Sequence, residues 1–264
     1  MTILDQIIAD KFKEITLRKD TVPLVHLGHR PYFERPTISL KNKLKKQVGI
    51  ISEFKRRSPS KGVIREEADV LGITQSYEAA GAAACSILTD SKYFDGRDQD
   101  IIDARPFLNI PILRKEFIID PYQIMEAKAM GADIILLIAE VLTRDQVKDF
   151  AIRAHDLGME VLMELHFEEE LDKWNHDIDL LGVNNRNLKS FETGIHKSIE
   201  LSSKLPKESI WISESGLQGS DEINELINVG YRGFLIGETF MKAENPGEIC
   251  RSFVMNLSKN TAHA

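Results

Sequence analysis

The segment Ile50-Ile-Ser-Glu-Phe-Lys-Arg-Arg-Ser-Pro-Ser-Lys-Gly62 begins as a short β-branched strand and ends in a turn of Ser, Pro and Gly. Side chains alternate between the two faces of a strand, so Glu53 and Lys55 project to one side and Phe54 to the other. A carboxylate and an ammonium on one strand face are costly unless that face opens onto a polar site. Four further cations, Arg56, Arg57, Lys61 and Arg65, follow closely. A solvated basic turn is the simpler interpretation, but charges that enter before the strand ends favour a site for an anionic substrate.

The same kind of apolar run recurs along the whole chain. Amphipathic stretches with helical spacing lie between the runs, and Gly closes several of them. Strands that are apolar on both faces indicate a parallel sheet covered on both sides. Eight such units predict an α/β fold, a (β/α)8 TIM barrel with an N-terminal helical extension, rather than an open doubly wound sheet. The predicted strands lie near 48–54, 84–89, 110–114, 133–138, 160–165, 180–184, 209–213 and 233–237.

The extension comprises residues 1–47 and precedes a catalytic barrel over residues 48–260. Residues 2–19 predict an amphipathic helix with Ile3, Leu4, Ile7, Ile8, Phe12 and Ile15 on one side and Asp5, Lys11, Lys13 and Glu14 on the other. The extension is too short for a core of its own. We expect it to pack on the barrel, so that the chain forms a single domain overall.

Composition limits the possible partners. The chain has 264 residues, a net charge of −7 and a pI near 5.6, which argues against general binding to nucleic acid or to anionic membranes. Cys85 and Cys250 stand far apart in apolar surroundings, which is typical of free thiols in a reducing compartment. The N-terminus has no secretory pattern, and the longest apolar run is too short to span a bilayer. We expect a cytoplasmic protein and a monomer.

In such a barrel, chemistry belongs to the C-terminal ends of the strands. Ionisable or polar residues stand within or directly after most of the predicted strands, which is more than ordinary surface turns would supply. These candidates are Glu53, Lys55, Ser58, Lys115, Glu164, Asn184, Arg186, Glu214 and Ser215.

The last two strand ends predict a phosphate site. Gly216 and Gly237 let an anion approach the main chain closely, and the segment after Gly237 can begin a short helix whose N-terminus faces the same place. The backbone of Glu238, rather than its carboxylate, would contact the phosphate. Two ordinary glycine turns are the simpler interpretation.

Five segments together resemble the indole-3-glycerol phosphate synthase family, and they occur in the family's order from the first strand onward. Two departures are Glu116, where the family often has Asp, and Glu238, where some members have Ser. The five segments are Ile51 to Gly62, Leu113 to Ile118, Glu160 to His166, Gly182 to Leu188 and Ser213 to Gly216.

The resemblance implies a carboxy-lyase of L-tryptophan biosynthesis, which acts on a small sugar-phosphate anthranilate. Its reaction closes the ring of 1-(2-carboxyphenylamino)-1-deoxyribulose 5-phosphate to indole-3-glycerol phosphate, with loss of carbon dioxide and water. No redox change occurs, so we expect no cofactor and no metal.

The resemblance also implies roles for the candidate residues. Lys115 would be the general acid at the ketone oxygen, where negative charge develops. Glu164 could assist hydroxyl departure or stabilise the cationic intermediate, Glu53 could act as the base, and Lys55 could orient anions or supply a proton. The sequence leaves the assignment of steps open. Of the remaining candidates, Asn184 and Glu214 would position the reacting groups, Arg186 and Ser215 would approach the phosphate, and Phe94 and Phe117 would hold the anthranilate ring.

Other interpretations stay open at this point. A Schiff-base aldolase would also place a lysine at a strand end, and a non-enzymatic phosphate-binding barrel would keep the two glycines. The lysines and glutamates could be structural ion pairs, and the phenylalanines could be core residues. We expect His166 to be a structural histidine with satisfied hydrogen bonds. His26 and His29 lack a clear third ligand and are expected to be loop residues.

Overall fold

Eight parallel strands close into a barrel in the computed structural model, which describes residues 2–186 and 193–261, the last four as backbone only. Each barrel strand pairs with two neighbours, and the first, β1, joins β4 on one side and β10 on the other. The predicted (β/α)8 barrel is therefore confirmed. The barrel strands are β1 (Gly49–Phe54), β4 (Ala84–Leu88), β5 (Ile112–Lys115), β6 (Ile134–Ile138), β7 (Glu160–Leu165), β8 (Leu180–Asn184), β9 (Ile210–Glu214) and β10 (Gly233–Ile236); β2 (Arg57–Ser58) and β3 (Gly62–Val63) form a small antiparallel hairpin.

Helices surround the barrel, but one connection between strands departs from the alternation of strand and α-helix. Between β7 and β8 the chain forms a 3₁₀ helix, Glu168–Lys173, instead of an α-helix. The Glu170 carboxylate accepts hydrogen bonds from the backbone nitrogens of His166 and Phe167 at the start of that turn. The α-helices are α1 (Ile3–Thr21), α2 (Leu24–Gly28), α3 (Leu40–Lys46), α4 (Val70–Ala79), α5 (Ser91–Phe94), α6 (Asp98–Ala104), α7 (Pro121–Met130), α8 (Arg144–Asp156), α9 (His196–Ser202), α10 (Ser220–Asn228), α11 (Glu238–Met241) and α12 (Pro246–Thr261); a second 3₁₀ helix spans Arg105–Phe107.

The barrel interior is apolar in its lower half and polar at its mouth. Ile51, Leu113 and Leu162 belong to the buried interior cluster. Two positions further along the same strands stand Glu53, Lys115 and Glu164, and because strand side chains alternate, they share that inward face. Leu40 and Leu44 of α3 join the interior cluster and close the bottom of the barrel. The apolar interior cluster therefore separates the polar strand ends from the bottom of the barrel.

The segment before β1 runs along the barrel from mouth to bottom. Ile3, Leu4 and Ile7 line the cavity at the mouth. Further along, Arg35 Nη2 lies 2.6 Å from the carboxylate of Asp133, which is fully buried. The carboxylate of Glu160 then accepts hydrogen bonds from the first backbone nitrogens of α3. Polar contacts thus attach the second half of the extension to the barrel.

The positions of Lys11 and Phe12 differ from the prediction for α1. The sequence pattern placed Lys11 on the solvent side and Phe12 on the apolar side, but Lys11 is buried and Phe12 is 58% exposed. Lys11 Nζ lies 3.0 Å from Asp90 and 3.0 Å from Glu116, which follow β4 and β5. Residues 4, 7, 11 and 15 form one helical stripe, so Lys11 is on the contact face and finds buried carboxylates there.

No helix within residues 2–186 and 193–261 is long and apolar enough to cross a membrane. The predicted segment at the sixth strand end extends to Asn187 and Leu188, which lie outside the described residues.

Replacing Lys11 by Met should lower the free energy of unfolding by about 3–5 kcal/mol, because it leaves Asp90 and Glu116 buried without their cation. Urea unfolding followed by circular dichroism measures this. Lys13→Met is the matched control, since the Lys13 side chain is 82% exposed and surface changes stay within about 0.5 kcal/mol. Equal free energies of unfolding for the two variants would show that Lys11 does not stabilise the fold by compensating the charges of Asp90 and Glu116.

Candidate active site

All the residues predicted for the site line one cavity of about 650 Å³ at the C-terminal ends of the strands. A cavity of this size suits a drug-sized ligand. The structure therefore brings the predicted residues together, while their chemical roles remain predictions. These lining residues are Glu53, Lys55, Ser58, Phe94, Lys115, Phe117, Glu164, Asn184, Arg186, Glu214, Ser215, Gly216, Gly237 and Glu238.

Lys115 lies at the centre of the cavity floor, between two carboxylates. Its Nζ is 3.0 Å from Glu164 Oε2 and also contacts Glu214 Oε2. Burial by itself would lower the pKa of Lys115, but the carboxylates, first Glu164 and then Glu214, outweigh it and hold the pKa above the usual lysine range. The ammonium form is thus present at any physiological pH.

The two carboxylates differ in charge. Burial would raise the pKa of Glu164, but Lys115 and then His166 outweigh it and lower that pKa to about 2. For Glu214 burial is the largest influence, and it raises the pKa to about 8 although Lys115 opposes it. At neutral pH Glu164 is therefore ionised and Glu214 keeps its proton. Asn184 Nδ2 donates to Glu164 Oε1 at 3.2 Å and fixes that carboxylate from the next strand.

Glu53 and Lys55 form a second ion pair on the same floor. Lys55 Nζ lies 2.6 Å from Glu53 Oε1, as expected for residues on one strand face. The backbone of Gly237 passes so close that a Cβ there would lie 2.9 Å from the Glu53 Cβ and collide with its carboxylate. Glycine at this position therefore lets the first and last strands place a carboxylate and a main-chain turn side by side.

One wall of the cavity is apolar. The rings of Phe94 and Phe117 have centroids 6.0 Å apart and are tilted by 38°. Leu136 and Ile138 of β6 continue the wall, and α1 adds its first turns from above. The sequence pattern missed this contribution of α1, because an apolar stripe shows that a helix packs on something but not on what.

The opposite side combines cations with left-handed backbone turns. Ser215 and Gly216 have φ of 67° and 78°. Such a conformation is rare for serine and is often found at functional sites. Arg186 Nη1 donates to Ser60 Oγ at 2.8 Å, and its Nη2 lies 3.2 Å from Glu238 Oε2. Lys242 Nζ, 2.6 Å from Glu238 Oε1, further offsets the charge of that carboxylate.

Only part of the basic run after β1 belongs to the site. Lys55 and Lys61 line the cavity, but the buried Arg56 makes two hydrogen bonds with Asp100 at 2.6 and 2.8 Å. Arg65 donates to backbone oxygens of residues 243 and 244. The prediction that these arginines add to an anion site is therefore wrong for Arg56 and Arg65, which hold the loop to the barrel.

His166 also differs from expectation. It is buried, with 3% exposure, yet neither ring nitrogen has a hydrogen-bond partner among the described residues. Its Nε2 lies 3.7 Å from Glu164 Oε1 and its Nδ1 lies 3.8 Å from Glu140 Oε2. The described residues therefore do not supply the hydrogen bonds expected of a structural histidine, and His166 lines the cavity. Glu140, His166 and Glu170 lie close together, with one nitrogen or carboxylate oxygen of each within 4.8 Å of the others.

Comparison with known proteins adds a family to this geometry. The family model described as indole-3-glycerol phosphate synthase matches residues 4–253. The indole-3-glycerol phosphate synthase of Bacteroides thetaiotaomicron is 47% identical over 253 residues, which are 96% of this chain and 97% of that protein.

Solved structures with low sequence identity share the fold. The 3-hexulose-6-phosphate synthase of Salmonella typhimurium superposes with a TM-score of 0.63 at 12% identity, over 80% of this chain and 99% of that one. Thiamine phosphate pyrophosphorylase from Pyrococcus furiosus gives a TM-score of 0.59 at 13% identity, over 84% of this chain and 98% of that one. At these identities the likeness shows the barrel alone.

Glu214→Gln should change how stability depends on pH. The raised pKa means that folded Glu214 keeps a proton that the unfolded chain has lost between about 4.5 and about 8. Its contribution is fully present below about 4.5 and is lost as the pH rises through about 8, with a slope of up to about 1.4 kcal/mol per pH unit. Gln cannot lose a proton. The variant should therefore gain stability relative to wild type as the pH rises from about 5 to about 8.

Urea unfolding at several pH values measures the difference. Glu225→Gln, at an exposed position on α10, is the matched control and should run parallel to wild type. Parallel curves for Glu214→Gln as well would show that Glu214 is ionised in the folded protein.

Proposed function

The chain belongs to the indole-3-glycerol phosphate synthase family, and we propose how its cavity residues divide the work of that family's reaction. The enzyme is a carboxy-lyase of tryptophan biosynthesis that forms indole-3-glycerol phosphate from the carboxyphenylamino-deoxyribulose phosphate. Family membership thereby removes support from the aldolase and from the non-catalytic binding protein. One observation carries the assignment of roles: the Lys115 ammonium is held between Glu164 and Glu214 on the cavity floor, with an apolar wall on one side and cationic turns on the other.

Lys115 is the general acid of ring closure. The ring carbon that bears the carboxylate attacks the ketone, and the ketone oxygen becomes negative. A permanent positive charge at the floor stabilises that oxygen and then transfers a proton to it. The raised pKa of Lys115 makes it a strong electrostatic partner before bond formation, and it becomes a donor only when the oxygen has gained charge. Glu214, which contacts Lys115, positions it.

The dehydration uses the carboxylates. Glu164 is ionised in the free site, so it first stabilises the cationic intermediate and then, once protonated, helps the hydroxyl to leave. Asn184 holds Glu164 in place. Glu53 takes up the proton that the new ring loses, and its pairing with Lys55 keeps both groups at the reacting centre.

The two ends of the substrate lie against opposite walls. The anthranilate ring packs between Phe94 and Phe117, together with Leu136 and Ile138. The phosphate lies on the backbone of residues 215–216 and 237–238, where Gly allows a close approach, with Ser215 and Arg186 as polar partners. Ser58, buried at the start of the hairpin, completes this side.

Further proposals concern the whole chain. Residues 1–47 and the barrel of 48–260 form one domain, which is supported by the buried Lys11 ion pairs and by the Arg35–Asp133 contact. Cys85 and Cys250 are free and buried, which supports a cytoplasmic location. The enzyme acts as a monomer on a small molecule. The reaction is not an oxidation or reduction that would use nicotinamide or flavin, and it needs no cofactor.

Lys115→Met should reduce kcat by roughly 100- to 10,000-fold while the KM changes little, because Met keeps much of the shape but supplies neither charge nor proton. The formation of indole fluorescence from the carboxyphenylamino-deoxyribulose phosphate measures turnover. Lys41→Met, at the bottom of the barrel, is the matched control and should keep wild-type kcat. A folded Lys115→Met enzyme with more than about a tenth of wild-type kcat would exclude the general-acid role.

Gly216→Val should raise the KM and weaken the preference for phosphorylated substrate. A Cβ at position 216 meets Thr193 and Gly194 at 3.0 Å, and the left-handed φ disfavours any side chain. Gly219→Val is the control, since a Cβ there meets nothing within 4 Å. The kcat/KM for substrate with and without its phosphate is compared in each enzyme. Equal discrimination by wild type and Gly216→Val would place the phosphate elsewhere.

A further inference from the structure

The reaction consumes one proton in each turnover. The substrate carboxylate leaves as uncharged carbon dioxide, and the hydroxyl leaves as water. The ketone oxygen gains one proton and the departing hydroxyl gains another, whereas the base recovers only one from the new ring. The site must therefore take up one proton from solvent for every product molecule.

The groups that need protons lie at the bottom of the cavity, beneath the substrate. The side chains of Lys115 and Glu164 are 15% and 5% exposed. Glu164 is ionised before the reaction, so it has to acquire a proton before it can assist hydroxyl loss. Since bound substrate fills the mouth, a second route to solvent would serve this step.

His166 lies between Glu164 and the outside. Glu164 Oε2 faces Lys115, while Oε1 faces His166 Nε2 at 3.7 Å. On the other side of the ring, Nδ1 is 3.8 Å from Glu140 Oε2, and the Glu140 side chain is 34% exposed. Both distances are slightly longer than a hydrogen bond, so a shift of about one ångström or less at each step would close the path.

The imidazole is poorly satisfied where it stands. Leaving a buried polar group without a hydrogen bond is unfavourable, and neither ring nitrogen of His166 has a partner among the described residues. The neighbouring charged groups from the other packed elements are Glu170, whose Oε2 is already bonded to the backbone, and Lys197, whose Nζ donates to the Asn184 carbonyl at 3.0 Å. A purely structural histidine would gain nothing from this arrangement, whereas a carrier needs both nitrogens free.

We propose that His166 carries protons from solvent to Glu164, with Glu140 as the group at the solvent side. A proton from water reaches the Glu140 carboxylate and passes to His166 Nδ1. The N–H bond at Nε2 breaks and its proton moves to Glu164 Oε1. Rotation of the ring or exchange of tautomers then restores the starting form. This inference rests on the proposed role of Glu164, and it makes His166 a positioning and relay residue that acts through that carboxylate.

Three variants test the relay: His166→Ala, Glu140→Gln and Glu164→Gln. His166→Ala should lower kcat by roughly 10- to 100-fold with a KM within about twofold of wild type, which is at or below the usual range for acid–base catalysis. Added imidazole at constant pH should restore much of its kcat, and the solvent deuterium isotope effect on kcat should rise. Glu140→Gln should show a smaller loss of kcat and also a larger isotope effect. His29→Asn, at an exposed position, is the control and should match wild type.

Each outcome bears on one of the two proposals. Glu164→Gln with near-normal kcat would refute the role of Glu164 itself, whereas a slow Glu164→Gln that imidazole does not rescue is expected. If Glu164→Gln is slow, a folded His166→Ala with wild-type kcat, or one that imidazole cannot restore, overturns the relay alone. If His166→Ala does not fold, Glu140→Gln decides, and unchanged kcat and isotope effect in that variant overturn the proposal.

Discussion

Lys115 is a buried ammonium between two carboxylates, and the arrangement of the mouth follows from the need to keep that charge balanced. The three groups come from β5, β7 and β9, so they meet only because parallel strands in a closed ring all end on the same side. One carboxylate stays ionised and the other keeps a proton, which leaves the floor close to neutral before substrate binds. An anionic substrate can then enter without strong repulsion, and Lys115 keeps its positive charge.

The segment before the barrel contributes to both ends of the molecule. At the bottom, α3 closes the interior with leucines, so that solvent reaches the polar strand ends from the mouth. At the top, α1 adds an apolar edge above the phenylalanine wall. A barrel without this segment would have two openings and a shallower cavity, and burial is what raises the pKa of Glu214.

The strands and the residues at their ends can be predicted from sequence, because apolar runs and charges inside their last positions are local signals. Contacts between distant residues leave weaker traces. In the sequence, Arg56 is a cation at the end of the first strand just as Lys55 is, yet its side chain pairs with Asp100 and does not line the cavity. In the sequence, Lys11 is a charged residue on an amphipathic helix. Only the tertiary fold shows that it pairs with two buried carboxylates. The isolation of both nitrogens of His166 is likewise a property of packing, which no sequence pattern records.

The Lys11 contact also has a consequence for how the chain is made. During translation, position 11 emerges from the ribosome long before positions 90 and 116. The cation and the apolar stripe of α1 are therefore uncovered while the residues that will bury them are not yet made. Ring closure is later still, since β1 pairs with β10 near the end of the chain. Such long-range contacts form slowly. A helix that is translated before its partners therefore docks only after they have been made, and the nascent chain must keep it from other partners until then.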